Sequence, residues 1–215
     1  KRPLLALCMI VKDEAEFLDA CLASVEGLVD EVIIVDTGST DATPDIAKKW
    51  GALLFRQTWK DDFSLARNSA LKKAKGRWIL CLDCDEVLSK ENHSDLKKMI
   101  KNPNADAFRF TTRNYCSNDN NEGWQRCSGQ YLEEREYSGW FPSTKVRLWK
   151  NSKNIYFEGI VHELVESSLV RLGAEIVDCG VPVHHYGHIE KQRSSNRYME
   201  AVSYTHLTLP TNREV

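Results

Sequence analysis

The sequence predicts an α/β fold, with a mainly parallel central sheet flanked by helices and a small antiparallel part in the second half. Three observations carry this. Apolar runs of strand length alternate with amphipathic, helix-length segments over the first 90 or so residues. The connections between them are short and rich in turn residues. Beyond residue 101 the pattern changes to a period of two, the mark of antiparallel strands with one solvated face.

Residues 4–11, LLALCMIV, form a continuous apolar run, as expected for a strand covered on both faces. Phe17, Leu18, Cys21, Leu22 and Val25 then recur at helical spacing, with Gly27 as a stop. EVIIVD is a second buried strand ending in Asp36, and TGSTDAT is a polar turn. Thr43 before Pro44 predicts an N-cap followed by proline at the first helical position, and the helix stops at Gly51. ALLFRQ is a third strand. Residues 61–76 form an amphipathic helix with Phe63, Leu65, Ala66, Ala70, Leu71 and Ala74 inside and Gly76 at its end. RWILCLD is the fourth strand, and a helix follows over residues 89–101. DAFRFTTRNY and TKVRLWK alternate as half-exposed antiparallel strands. Between them lies a polar insertion, residues 114–142, carrying Trp124, Tyr131, Tyr137, Trp140 and Phe141. IYFEGIVHELV and CGVPVHHYGH each deliver histidine after an apolar run, and a further helix starts at residue 190.

The totals bound the function classes. The 215 residues suit one domain, and 42% hydrophobic with 28% charged residues are globular values. A net charge of -2 argues against a nucleic-acid surface. No apolar run approaches the roughly 20 residues of a membrane helix. The opening residues lack a small-residue cleavage site, so no secretory leader is expected in them. Seven cysteines scattered through apolar segments read as free thiols in a reducing cytosol. Residues 202–215, VSYTHLTLPTNREV, match nothing before them. They back-translate to what resembles a transposon-end sequencing adaptor read in frame, so the native domain is expected over residues 1–201, cut short near Ala201.

In parallel α/β sheets ligands sit outside the carboxyl ends of the strands. Here those ends carry Lys12-Asp13-Glu14, Asp36, and the run from Asp83 to Glu86, so one edge gathers acids from three strands. Asp83 and Asp85 form D-x-D, suited to a hard divalent cation that neutralises phosphate; the bland alternative is a solvated acidic loop. Cys81 and Cys84 are spaced as C-x-x-C. Cys81 lies inside a strand and no second such pair exists, so packing is the better reading. His184 and His185 point to opposite sides of an extended chain, so at most one of them faces the site. HHYGH alone would suggest zinc, while one histidine completing the D-x-D metal carries more weight. Glu163, after His162, is a candidate base or a surface acid at a helix start. Arg67 is a surface charge or a contact to a base or phosphate, and Asn68 follows it. The aromatic insertion stacks on a sugar or acceptor, or forms a satellite core.

CMIVKDEAEFLDACLASV, DEVIIVDTGSTDAT, FSLARNSALKKAKGRWILCLDCDE and FEGIVHELV stand in order and at suitable spacing. Together they resemble successive motifs of the family 2 glycosyltransferases with the GT-A fold, a Rossmann-like nucleotide-diphospho-sugar transferase fold. The resemblance covers residues 4–201. It is nearest to the subgroup of lipopolysaccharide-core β-glucosyltransferases and of bacterial enzymes with helical repeats after the catalytic domain. It implies a nucleotide-diphosphate-sugar donor, UDP-sugar foremost, a divalent Mg2+ or Mn2+, and inverting hexosyl transfer to a saccharide, lipid-linked or protein acceptor in cell-envelope glycan synthesis. It implies a cytoplasmic location, with peripheral contact at the inner face of the membrane for a lipid-linked acceptor.

Position by position, the resemblance implies that Val11, Glu14 and Asp36 contact the nucleoside, with Asp36 reading the base. Arg67 would lie beside the base or diphosphate. Asp83 would face the ribose or metal side, Asp85 would bind the metal, and His185 rather than His184 would be the late metal ligand. Glu163 would be the general base. Asp13 stands where the subgroup more often has asparagine. Two other readings stay open: a zinc or other metal hydrolase using His184, His185 and His188, and a non-catalytic nucleotide- or sugar-binding module.

Overall fold

The computed structural model describes residues 2–101, 103–117 and 119–187. His188, the helix expected from residue 190 and the stretch 202–215 lie outside them. β1 (Leu5–Val11) shows why its run is apolar throughout. Leu5, Leu7, Met9 and Val11 join one core, while Ala6 and Cys8 join a second core on the other face of the sheet. The first core is closed by α1 (Leu18–Ser24), α2 (Thr43–Lys49) and α4 (His93–Lys101). The second is closed by α3 (Phe63–Leu71) and α5 (Glu166–Arg171). The sheet is therefore covered on both sides, which removes the solvated face that would otherwise demand polar residues.

The remaining strands are β2 (Glu31–Asp36), β3 (Leu53–Arg56), β4 (Trp78–Cys81), β5 (Glu86–Val87), β6 (Ala107–Cys116), β7 (Gln125–Arg126), β8 (Gly139–Lys150) and β9 (Ile176–His185). Their order in one nine-stranded sheet is β3-β2-β1-β4-β8-β6-β9-β5, with β7 paired to β8. β3, β2, β1 and β4 are parallel neighbours. β8 pairs antiparallel with β4 and β6, and β9 pairs antiparallel with β5. The mixed α/β class with an antiparallel second half is as expected. Among the described residues no helix is long and apolar enough to cross a membrane.

Four local expectations need correction. Thr43 is the first helical residue of α2 and not its N-cap. Its backbone N–H donates to Asp41 Oδ1 at 2.9 Å, and its hydroxyl accepts the Glu14 N–H at 2.7 Å. Asp41 thus does the local work, and Thr43 is freed to tie the loop after β1 to the loop after β2. In α3, Leu65 is 38% exposed and Arg67 is 8% exposed, so a guanidinium replaces a leucine on the inward face. β6 is not half-exposed: it lies between β8 and β9 and is buried along most of its length. In β8 the alternation also fails, because Arg147 is buried together with Val146, Leu148 and Trp149. All seven cysteines are free, and Cys81 and Cys84 are both buried.

Candidate functional site

The carboxyl ends of β1, β2 and β4 lie side by side, because Val11 pairs in register with Asp36 and β1 also pairs with β4. Val11 is buried, and its carbonyl accepts from both Thr37 N and Thr37 Oγ1. Asp13 has φ 52°, a left-handed conformation that aspartate and asparagine tolerate best after glycine. Its Oδ1 accepts from Thr40 N at 2.7 Å and Thr40 Oγ1 at 3.1 Å. An asparagine oxygen would serve equally, so the departure at this position leaves the loop intact.

Asp36 is 1% exposed. Its Oδ1 accepts from Gly38 N at 3.0 Å and Ser39 N at 2.8 Å. Its Oδ2 is buried and has no hydrogen-bond partner, since Arg56 Nε stands 3.8 Å away. A buried carboxylate oxygen without a donor is costly, and such an atom calls for a ligand. Asp36 lines a cavity of about 500 Å³ together with Thr37, Gly38, Ser39, Arg56, Gln57, Thr58 and Trp59.

Asp83 sits in a ladder of alternating charge. Glu163 Oε1 accepts from Arg67 Nε at 2.5 Å, and Arg67 Nη2 donates to Asp83 Oδ1 at 2.5 Å. Arg147 Nη1 lies 3.5 Å from Asp83 Oδ2, and Arg147 Nη2 donates to Glu86 Oε1. Glu86 Oε2 in turn accepts the Asp83 N–H. Removal from solvent works against the charge on Asp83. The guanidiniums of Arg67 and Arg147 outweigh it and hold the carboxyl well below its usual range. On Glu86 burial acts in the same direction but prevails and raises it, with Arg147 only partly offsetting. Arg67 is thus neither a surface charge nor a group facing outward; it also donates to Cys81 Sγ at 3.3 Å.

Glu163 reaches Arg67 from a pinned loop. Glu158 and Leu164 exchange backbone hydrogen bonds, and His162 between them has φ 58°. Asn68, next to Arg67, binds both backbone groups of Phe157, through Nδ2 at 2.9 Å and Oδ1 at 2.8 Å. Two successive residues of α3 therefore hold the segment that delivers Glu163.

Asp85 and His185 meet through the pairing of β5 with β9, where Glu86 is in register with His185 and the Tyr186 N–H donates to Asp85 O. His185 Nε2 lies 3.3 Å from Asp85 Oδ2. Burial lowers the His185 pKa, but the Asp85 hydrogen bond and the charges of Asp85, Glu86 and Asp83 outweigh it and raise it. Gly187 closes over the pair, and a Cβ there would be driven into both Asp85 Oδ2 and His185 Nε2. His184 faces the opposite way, with Nδ1 2.6 Å from Tyr115 Oη and no exposed surface. Burial, helped by Arg113, lowers its pKa to about 3.

A divalent cation fits the Asp85–His185 pair. Neighbouring ligands of an octahedral ion held at about 2.1 Å stand roughly 3 Å apart, which is close to the observed 3.3 Å. A carboxylate with an imidazole suits Mn2+ or Mg2+, and the remaining positions suit phosphate and water. The zinc reading also needs His188, which lies outside the described residues, and its other two histidines, His184 and His185, diverge.

Sequence reasoning missed Arg147, Asn114 and Gly187, and gave Glu86 no role. Only glycine two residues after a candidate ligand was a usable signal. Arg147 and Asn114 carry none, since each looks like an ordinary polar position on a strand.

The family model described as Glycosyl transferase family 2 matches residues 6–160. A TPR repeat-containing protein of Synechococcus elongatus is 41% identical over 190 residues, covering 85% of this chain and 42% of that protein. Glycosyltransferase SunS of Bacillus phage SPbeta is 31% identical over 163 residues, covering 75% of this chain and 34% of that protein. The chain thus spans less than half the length of these relatives. TarS residues 1–349 of S. aureus in complex with UDP-GlcNAc is similar at a TM-score of 0.58 and 17% identity, over 86% of this chain and 59% of that chain. The mannosyltransferase PcManGT of Pyrobaculum calidifontis, in complex with GDP-Man and Mn2+, has a TM-score of 0.58 at 16% identity, over 86% of this chain and 57% of that chain. At these identities the likeness shows the fold.

Proposed function

The chain belongs to glycosyl transferase family 2, and from that premise we propose an inverting, metal-dependent transfer of a hexosyl group from a UDP-sugar to a saccharide, lipid-linked or protein acceptor in cell-envelope glycan synthesis. The observation that carries it is the meeting of Asp85 with His185 at 3.3 Å on the sheet edge where β1, β2 and β4 end. The Mn2+ held with GDP-Man by PcManGT and the UDP-GlcNAc held by TarS support the reading.

Asp85 and His185 would hold the cation, which supplies Lewis-acid stabilisation of the leaving diphosphate. Asp36 would read the base, with Val11 and Glu14 beside the nucleoside. Its Oδ1 is already filled by two backbone N–H groups, so one oxygen remains. One open acceptor suits the single imide N–H of uracil. Guanine offers two adjacent N–H groups and needs both oxygens, and cytosine can donate only through its N4 amino group, with the neighbouring N3 lone pair repelled by the carboxylate. Asp83 would face the ribose side, and Arg67 would hold it there while steadying Glu163. Arg67 engages Glu163 Oε1, and Oε2 would take the acceptor hydroxyl proton as that oxygen attacks the anomeric carbon. The bond to the diphosphate breaks on the opposite face, which inverts the centre. Peripheral membrane contact belongs to this proposal only for a lipid-linked acceptor.

A donor screen by ligand-detected NMR, with and without Mn2+, tests the reading. UDP should bind more strongly with Mn2+ than without, and GDP and CDP should bind poorly. Silence from every nucleoside diphosphate would overturn it. Asp85→Ala should abolish the metal dependence and lower turnover by at least about a hundredfold. An unchanged rate would sink the metal assignment.

A further inference from the structure

Asn114 has no part in the reaction described above, yet its side chain is 4% exposed and fully engaged. On β6 it stands in register with His185 of β9 on one side and Phe141 of β8 on the other. Its Nδ2 donates to Phe141 O at 3.0 Å and to Ser143 Oγ at 3.0 Å. Those two bonds settle which end of the amide is nitrogen. Oδ1 is then the group 2.7 Å from His185 Nδ1.

An amide oxygen accepts and never donates, so His185 Nδ1 carries the hydrogen of this bond. The nitrogen left to face Asp85 is Nε2, at 3.3 Å from Oδ2. With no cation bound, Nε2 can carry a second hydrogen toward the Asp85 carboxylate. A divalent cation placed between the two atoms displaces that proton and makes ligand bonds to both. We propose that Asn114 is the positioning residue of the metal centre, fixing His185 as the Nδ1–H tautomer so that Nε2 and Asp85 Oδ2 form a preformed nitrogen–oxygen pair for a divalent cation. This rests on the reading of Asp85 and His185 as metal ligands. The partner of a ligand's second nitrogen sets ring orientation and ligand basicity, and losing it costs about 10- to 100-fold in metal affinity. Asn114 also joins this centre to the returning end of the 114–142 insertion, through Phe141 and Ser143.

The test measures Mn2+ affinity by electron paramagnetic resonance, with and without UDP, for the wild type, Asn114→Leu, Asn114→Asp and His185→Ala. Asn114→Leu should weaken Mn2+ about 10- to 100-fold. Asn114→Asp keeps the acceptor for Nδ1 but loses the donor to Phe141 O, and it should hold Mn2+ more tightly than Asn114→Leu. Wild-type affinity in Asn114→Leu, with loss in His185→Ala, would overturn the inference and leave the metal reading standing. Wild-type affinity in His185→Ala, or no Mn2+ bound by the wild type, would overturn the metal reading and the inference with it. Imidazole nitrogen spectra of the Mg2+-loaded wild type need no variant to fold. They should place the His185 proton on Nδ1 and leave Nε2 without hydrogen, and a proton found on Nε2 in that state would refute the assignment.

Discussion

Asp36 and Asp83 end neighbouring parts of one sheet edge, yet they are held in opposite ways. Asp36 is held by its own turn, through Gly38 N and Ser39 N. Asp83 is held by Arg67 from α3 and by Arg147 from β8, across the join between the parallel and antiparallel halves. The first arrangement needs only the four consecutive residues Asp36 to Ser39 and a backbone turn. The second needs the whole sheet assembled, because no short peptide brings those groups together. Local chemistry therefore shapes the proposed base-reading end, and tertiary packing shapes the charged end.

Removing Arg67 should break this contrast most visibly. Arg67→Met leaves Asp83 and Glu163 without their shared cation and should cost about 3–5 kcal/mol in urea denaturation, the penalty of uncompensated buried charge. Arg67→Lys should recover only part of it, since one ammonium cannot fork to two carboxylates as a guanidinium does. A methionine variant as stable as the wild type would erase the distinction between the two ends.

The adjacent histidines sharpen it further. His184 is buried and neutral, with its pKa lowered from 6.5 to about 3. In that window the unfolded chain takes up a proton that the folded chain refuses. Stability is then full above about pH 6.5 and declines as pH falls, by up to about 2 kcal/mol on reaching pH 5. Denaturation at both pH values should show this decline, and His184→Gln should flatten it. An equal pH dependence in that variant would assign the effect elsewhere. The smallest effect is expected at a purely local contact. Asp62 caps α3 by accepting the Leu65 N–H at 3.0 Å, and Asp62→Ala should cost about 1 kcal/mol. A loss as large as that of Arg67→Met would mean that local bonds matter as much as the assembled ladder.

The same division explains what could be read in advance. β1, β2 and β4 were legible because a strand covered on both faces has a continuous apolar run, and the short apolar run LLF marked β3 although it lies at the sheet edge and is partly exposed. Asp36 and Asp85 were legible because they end such runs. His184 and His185 were half legible: alternation separates them, the family resemblance favours His185, and the pairing of β5 with β9 sets His185 beside Asp85. Arg147 was illegible because an arginine in an alternating strand reads as outward, while here carboxylates from β4 and β5 wait on the inward side. Leu65 and Arg67 in α3 were misjudged for the same reason, since hydrophobicity ranks them in the wrong order once Asp83 and Glu163 surround the guanidinium.

By itself the sequence determined the α/β class, the alternation of the first four strands with helices, the acidic edge and the membership of family 2, because these follow from periodicity and from motifs a few residues long. Only the tertiary structure decided that Asp36 Oδ2 has no hydrogen-bond partner and only the distant Arg56 as a counter-charge, that Glu163 and Asp83 share Arg67, and that Asn114 Oδ1 meets His185 Nδ1 while Nε2 faces Asp85. Those facts depend on which groups meet after the strands pair. Such meetings are governed by desolvation and charge across distant segments, and these leave no local pattern in the chain.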